Sequence, residues 1–125
     1  MSRILVIDDD ASLRQLVAQL LRTAGYEVEE ASNGRDGIRL YQHEPFDLVL
    51  TDLLMPEKDG LEVLIELRST APDLKIITIS GSNAYGNSPL NTSRLLGADR
   101  TIQKPFDDQQ LLQAVREVLG QQAGS

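Results

Sequence analysis

Short apolar runs alternate with helix-forming segments along the chain, and this alternation constrains the fold more than any other feature of the sequence. The five runs are Arg3–Ile7, Tyr26–Ala31, Leu48–Leu50, Lys75–Ile79 and Arg100–Gln103. Most segments between them place apolar residues at the spacing of amphipathic helices. Repeated strand–helix alternation requires parallel pairing with right-handed crossovers. The sequence therefore predicts an α/β fold built on one parallel sheet.

The composition of the five runs predicts their order in that sheet. The first, third and fourth runs are continuously apolar, which is typical of strands buried on both faces. The second alternates apolar and charged residues and the fifth is polar, so both are predicted to be edge strands. The order 2-1-3-4-5 satisfies this pattern and gives a flavodoxin-like (βα)5 three-layer sandwich.

Amphipathic patterns also predict which helix residues face the core. In the first helix the inner residues are expected to be Leu13, Leu16, Val17, Leu20, Leu21 and Ala24. In the third helix they are expected to be Leu61, Leu64, Ile65 and Arg68. The segment from Gly81 to Asn91 is predicted to be a long loop that leads into a weak fourth helix ending at Gly97. Asp107 or Asp108 is positioned to cap the last helix.

Length and composition narrow the class of protein. The chain of 125 residues fits one domain, predicted over 1–120, with 121–125 as a flexible tail. It has no cysteine, no run long enough for a membrane span and no secretory signal, so we expect a cytoplasmic protein without membrane association. The net charge of −7 repels phosphate backbones, which argues against direct nucleic-acid binding. The single histidine, His43, is expected to be solvated.

Polar side chains follow four of the predicted strands, where the strands end. Asp8 and Asp9 follow the first strand, Asp52 ends the third, Ser80 ends the fourth and Lys104 follows the fifth. Carboxyl ends of parallel strands form the crevice where ligands bind in such sheets, so these groups are expected to converge. Three neighbouring carboxylates repel one another by about 1 kcal/mol per pair even in water. A bound cation would explain them, and hard oxygen ligands favour Mg²⁺.

The remaining groups at the crevice suit phosphate chemistry. Lys104 supplies a positive charge and Ser80 a hydroxyl for phosphate oxygens. Asp52 could then attack phosphorus as a carboxylate nucleophile and form an acyl phosphate. Each residue alone has a structural explanation, as a helix cap, a turn residue or a solvated charge. Their conjunction at matching strand ends favours a phosphoryl-handling site.

These residues, with further short motifs, carry a resemblance to a known family. The motifs are Ile4 to Asp9, Asp52 with Met55-Pro56 and Asp59-Gly60, Ser80, Gly97-Ala98-Asp99 and Lys104-Pro105-Phe106. Over nearly its whole length the chain resembles the receiver domain of a two-component response regulator, of the single-domain chemotaxis-regulator type. The resemblance implies a signalling phosphoacceptor, and not an enzyme with a separate substrate. It also implies a sensor histidine kinase or histidine phosphotransfer protein as phosphoryl donor and a downstream protein partner.

The resemblance further assigns roles to individual residues. It implies that Asp52 accepts the phosphoryl group, and that Lys104 and Ser80 contact the phosphoryl oxygens. It implies Mg²⁺ ligands from Asp8, Asp9, Asp52 and the backbone carbonyl of Leu54. A cis peptide bond before Pro105 is implied as well. Phosphorylation would shift the population of conformers and change the surface of the predicted fourth helix, fifth strand and last helix.

Two departures from the family pattern concern switching. Thr101 occupies the position where such receivers usually carry an aromatic residue that moves inward, so the relay from phosphate to surface is expected to differ. The separation of Ser80 and Lys104 is slightly longer than usual, which places an insertion in the loop 81–90. We hypothesise that Tyr85 in that loop takes over part of the switching or partner contact.

Two other functions are compatible with parts of the sequence. The run Asp8-Asp9-Asp10-Ala11-Ser12 is similar to the nucleophile motif of haloacid-dehalogenase-like phosphatases, with Asp8 as nucleophile and Asp10 as acid. Those enzymes need a further strand with acidic metal ligands after the lysine, and here one helix follows. The third possibility is a receiver-like interaction module that signals without phosphate, which Thr101 keeps open.

Overall fold

A computed structural model of the chain describes residues 2–52, 60–80 and 98–120, and these form five strands and four helices. The strands are β1 Arg3–Ile7, β2 Glu27–Ala31, β3 Leu48–Asp52, β4 Lys75–Ser80 and β5 Arg100–Gln103. The helices are α1 Ala11–Thr23, α2 Gly34–His43, α3 Gly60–Thr70 and α4 Asp108–Val118. Leu54, Tyr85, the predicted weak helix ending at Gly97 and the tail 121–125 lie outside the described residues.

The five strands form one parallel sheet in the order β2-β1-β3-β4-β5. Ile7 of β1 is paired with Thr51 of β3, so these two central strands end side by side. On the other flank, Ser80 of β4 is paired with Gln103 of β5. The predicted flavodoxin-like order is confirmed.

Alternate residues of the central strands enter two separate cores, one on each face of the sheet. Ile4, Val6, Leu48, Leu50 and Ile77 pack with buried residues of α1 and α4. On the other face, Leu5, Ile7, Val49 and Ile76 pack with buried residues of α2 and α3. Because both faces of β1, β3 and β4 are covered, the prediction of three doubly buried strands and three layers is confirmed.

Three residues assigned to the inner helix faces, Leu16, Ala24 and Ile65, are exposed, and those predictions were wrong. Leu16 is 55% exposed and Ile65 is 53% exposed. The buried residues are Val17, Ala18 and Leu21 in α1, and Val63, Leu64 and Leu67 in α3. Adjacent helical residues point about 100° apart, so a side chain next to a buried one can turn fully to solvent. In both helices the sequence pattern predicted a wider buried face than the structure shows.

The starts of α1 and α4 are capped by aspartates. The side chain of Asp10 accepts a hydrogen bond from the Leu13 amide at the start of α1. At α4 the cap is Asp107, which forms a capping box with Gln110. Such caps stabilise a helix by about 1 kcal/mol.

Asp99 of the Gly97-Ala98-Asp99 motif lies at the amino ends of β4 and β5, away from the crevice. The Asp99 carboxylate accepts hydrogen bonds from the Ile76 amide at 2.8 Å and from the Arg68 guanidinium at 3.2 Å. The Asp99 amide donates to the Ile76 carbonyl at 2.8 Å. These contacts fasten the start of β5 to the start of β4.

Gly37 allows α2 to approach β1, and we expect Gly37→Ala to destabilise the fold. A Cβ at this position would lie 2.3 Å from Cδ1 and 2.7 Å from Cγ1 of Ile7, which is fully buried. Overpacking costs about 1–3 kcal/mol, and the better helix propensity of alanine offsets about 1 kcal/mol. Because 2.3 Å is a severe overlap, we expect a cost in the upper part of that range, about 2–3 kcal/mol. Urea denaturation should therefore show a net loss of about 1–2 kcal/mol.

A second substitution tests the cause of that loss. Ile7→Val removes Cδ1, the nearest atom, so the double variant should lose less stability than the sum of the two single losses. Gly37→Ala with wild-type stability, or strict additivity with Ile7→Val, would contradict the proposed contact.

Candidate functional site

The sheet brings three acidic side chains together at the carboxyl ends of its two innermost paired strands. Asp8 and Asp9 directly follow β1, and Asp52 is the last residue of β3. Carboxylate oxygens of the three residues lie within 4.8 Å of one another. The predicted convergence of these acids is therefore present in the structure.

Burial separates the three acids into two environments. Asp8 and Asp52 are 3% and 6% exposed, whereas Asp9 is exposed. Burial raises the pKa of Asp8 to about 6, and the charges of Asp52 and Asp9 push it in the same direction. The Asp10 amide, a hydrogen-bond donor to Asp8 at 2.9 Å, and the charge of Lys104 act against that increase. The site thus holds a carboxyl group whose ionisation is costly without additional positive charge.

Lys104, which follows β5, brings one positive charge to the acidic cluster. Its Nζ lies 3.3 Å from Oδ2 of Asp52, although β4 separates β3 from β5. The Lys104 side chain is 28% exposed, so the ammonium group remains accessible from solvent. The peptide bond between Lys104 and Pro105 is cis, as the resemblance implied.

The acidic cluster fits a divalent ion with oxygen ligands. Mg²⁺ binds oxygen at about 2.0–2.1 Å, which sets neighbouring ligand oxygens about 3–4 Å apart. One carboxylate oxygen from each of the three residues lies within 4.8 Å of the others, close to this spacing. Asp9 is exposed, so one of the three acids is accessible from solvent.

The other predicted site residues are only partly described. Ser80 ends β4 opposite Gln103, one residue before Lys104, and its side chain lies outside the described part of the structure. Leu54 and Tyr85 lie outside it entirely. Thr101 is half-buried in β5, paired with the buried Thr78, and it borders a shallow groove between β5 and α4. The solvated position predicted for His43 is confirmed, because its side chain is exposed.

Comparisons with known proteins place this chain in a family. Residues 4–116 match the family described as the response regulator receiver domain. The chain belongs to the response regulator receiver domain family. Receiver domains of two-component systems are signalling phosphoacceptors that bind Mg²⁺ at a cluster of aspartates. The fold and the three grouped acids agree with that membership.

Individual relatives show the same relationship in sequence. The chain is 36% identical over 119 residues to the response regulator receiver protein CpdR of Brucella abortus, and the match covers 95% of this chain and 98% of CpdR. It is 38% identical over 117 residues to the response regulator MprA of Mycolicibacterium vanbaalenii. That match covers 94% of this chain and 50% of MprA, so the receiver domain described here spans about half of that regulator.

Solved receiver structures show the same architecture. A CheY-like receiver domain protein from Methanospirillum hungatei superposes with a TM-score of 0.88 at 34% identity, covering 96% of this chain and 94% of that one. The chemotaxis protein CheY4 of Vibrio cholerae gives a TM-score of 0.84 at 30% identity, covering 94% and 98%. Among the described residues of this receiver domain, no helix is long and apolar enough to cross a membrane.

One contact at the site was not foreseen from the sequence. The Arg14 guanidinium donates a hydrogen bond to the backbone carbonyl of Asp8 at 2.9 Å. Arginine one turn into a surface helix is common, and only the fold shows that this one turns back toward the crevice. The sequence carries no separate signal for it.

Proposed function

We propose that Asp52 of this receiver domain accepts a phosphoryl group from a sensor histidine kinase or a histidine phosphotransfer protein. One observation carries the proposal: the Asp52 carboxylate is buried at the end of β3, grouped with Asp8 and Asp9, and paired with Lys104 at 3.3 Å. An isolated structural carboxylate would not need two further acids beside it. A phosphoryl acceptor does need a cation site and a positive side chain near the nucleophile.

The proposed transfer is a substitution at phosphorus. An Asp52 oxygen forms a bond to phosphorus while the bond from phosphorus to the donor histidine nitrogen breaks, and the imidazole keeps the electron pair and takes up a proton. The product is an acyl phosphate on Asp52. Lys104, already beside Asp52, would bind a phosphoryl oxygen, and the Ser80 hydroxyl would donate to another.

Asp8, Asp9, Asp52 and the backbone carbonyl of Leu54 would hold Mg²⁺. When bound, the ion would offset the negative charge of the acids and of the transferring group. The raised pKa of Asp8 supports this assignment, because a buried acid of this kind gains most from a neighbouring cation.

The output is proposed to be a change in binding to a downstream protein partner. Thr101 borders a polar groove of about 320 Å³ together with Arg100, Gln103, Gln110 and Gln113. This groove is the described part of the surface expected to change on phosphorylation.

The hypothesis that Tyr85 contributes stays a prediction, as do the domain bounds 1–120, the flexible tail 121–125, the cytoplasmic location and the absence of direct nucleic-acid binding.

The structure also bears on the phosphatase alternative. In that mechanism Asp10 would act as the acid, but its side chain caps α1 by accepting from the Leu13 amide at 3.2 Å. The family match favours the receiver as well.

Mapping the phosphorylated residue tests the proposal. The protein is incubated with acetyl phosphate and Mg²⁺, and the acyl phosphate is trapped by borohydride reduction and located by peptide mass spectrometry. We expect the label on Asp52, with none formed when EDTA replaces Mg²⁺. A label on Asp8, with turnover of phosphomonoesters, would instead support the phosphatase.

A further inference from the structure

Arg14 connects the acidic cluster to a chain of charged contacts outside the site. Its Nη1 donates to the Asp8 carbonyl at 2.9 Å, and its Nε donates to Oε1 of Glu30 at 3.2 Å. Oε2 of Glu30 accepts from Arg22 at 3.3 Å, and Arg22 also donates to the Val28 carbonyl at 2.9 Å. One glutamate on β2 is therefore shared by two arginines of α1. Of these two arginines, Arg14 is the one that contacts the backbone of the acidic cluster.

The peptide that Arg14 contacts is the one that joins two of the three acids. The Asp8 carbonyl belongs to the peptide group between Asp8 and Asp9, so its orientation affects the direction of both side chains. The Asp8 amide is fixed separately, by donating to the Ala31 carbonyl of β2 at 3.1 Å. With Arg14 on its carbonyl, the backbone of Asp8 is held on both sides.

Arg14, held by Glu30, contacts the backbone of the cation site. It does not compete with a cation for the side-chain oxygens of the acids. The guanidinium binds a backbone carbonyl and a carboxylate outside the cluster, and no hydrogen bond to the side chains of Asp8, Asp9 or Asp52 is found. Its charge is partly balanced by Glu30, which it shares with Arg22, and the side chain of Arg14 is largely buried. The hydrogen bonds of Arg14 to Asp8 and Glu30 thus use a backbone oxygen and a carboxylate outside the cluster.

We propose that Arg14, held by Glu30, is a positioning residue that fixes the Asp8–Asp9 peptide in the orientation required for divalent cation binding. This inference rests on the proposed metal site of the receiver domain and adds a residue to it. Partners that orient metal ligands commonly change metal affinity by about 10–100-fold when they are removed. Because Arg14 acts through the backbone and not through a ligand side chain, we expect the lower end of that range.

The experiment compares two arginines that share one glutamate. Isothermal titration with MgCl₂ gives the dissociation constant for wild type, Arg14→Gln and Arg22→Gln. Each variant loses one ion pair with Glu30 and one hydrogen bond to a backbone carbonyl, but only Arg14→Gln loses the contact with Asp8. We expect about a tenfold weaker affinity for Arg14→Gln and a change of less than twofold for Arg22→Gln.

Glu30→Gln provides a second variant in case Arg14→Gln folds poorly. It keeps Arg14 but weakens its anchor, so we expect a smaller loss of Mg²⁺ affinity, about threefold. In the labelling reaction with acetyl phosphate, Arg14→Gln should need more Mg²⁺ for half-maximal phosphorylation yet reach the wild-type rate at saturation. Circular dichroism establishes that each variant is folded at the temperature of titration.

The outcomes separate this inference from the proposed function. Wild-type protein that binds Mg²⁺ but takes no phosphoryl group on Asp52 would overturn the proposed function, and the titrations would still decide the role of Arg14. Equal Mg²⁺ affinity of Arg14→Gln and wild type would overturn the inference. So would an equal loss in Arg14→Gln and Arg22→Gln, or wild-type protein that binds no Mg²⁺.

Discussion

Asp52→Asn is expected to abolish incorporation of phosphate from acetyl phosphate, with a loss of at least about 100-fold in initial rate. An amide oxygen is a poor nucleophile and cannot form a stable acyl phosphate, so the reaction loses its acceptor and not only its efficiency. The substitution keeps the size and shape of a side chain that is 6% exposed, so the sheet should remain intact. Intact-mass spectrometry measures the phosphorylated fraction directly.

Asp73→Asn is the matched control for that result. Asp73 is an exposed aspartate between α3 and β4, at the opposite end of the sheet from the acidic cluster. The control variant should be phosphorylated at the wild-type rate. Phosphate incorporation by Asp52→Asn at a rate near that of wild type would exclude Asp52 as the acceptor and would direct attention to Asp8 or Asp9.

Asp8→Asn is expected to stabilise the metal-free protein while it removes stabilisation by Mg²⁺. Burial raises the pKa of Asp8 to about 6, above the unfolded value near 3.8. Ionised Asp8 therefore opposes folding at neutral pH, by about 2–3 kcal/mol for a shift of this size. Asparagine removes the charge and can still accept the hydrogen bond from the Asp10 amide. In EDTA at pH 7.5, urea denaturation should show a gain on that order.

The gain from Asp8→Asn should depend on pH in a defined direction. A raised pKa in the folded state means that the contribution of Asp8 to stability is greatest below about pH 4 and is lost as the pH rises through about 6. The difference between variant and wild type should therefore vanish near pH 4 and reach its maximum above pH 7. A constant difference across this range would show that the charge of Asp8 is not its cause.

Magnesium should offset the stability advantage of Asp8→Asn over wild type. A ligand at 100 times its dissociation constant stabilises the folded state by about 2.7 kcal/mol, and only wild type retains all three acids. Asp9→Asn is the useful comparison, because Asp9 is exposed and its substitution should remove the Mg²⁺ effect with little gain in EDTA. Equal stabilisation of wild type and Asp8→Asn by MgCl₂ would remove Asp8 from the proposed ligand set.

The fold could be predicted from the sequence because apolar runs and the alternation of strands and helices can be read directly along the chain. An apolar run such as Leu48–Leu50 must be covered on both faces, and parallel order then follows from the alternation of strands and helices. The grouping of Asp8 with Asp52 follows from the same logic, since both stand where adjacent strands end. The approximate location of the site thus depends on topology alone.

The predictions that were wrong and the contacts that were not predicted depend on packing between elements that are distant in sequence. Leu16 and Ile65 are apolar and border their inner stripes, yet each helix is rotated so that these side chains face solvent. The ion pair between Arg14 and Glu30 joins α1 to β2, and no local pattern specifies it. Gly37 is another example, because its need for a hydrogen in place of a side chain arises from Ile7 on a different element.

The two ends of β5 are fastened in chemically different ways. At its start, Asp99 is bound to the backbone of Ile76. Beyond its end, Lys104 is held by Asp52 through an attraction between opposite charges. A phosphoryl group on Asp52 would alter the ion pair with Lys104 and leave the hydrogen bond between Asp99 and Ile76 unchanged. The strand would then pivot about its Asp99 end. Any signal carried by this strand would accordingly be a rotation that grows toward Lys104, and not a uniform translation of the sheet edge.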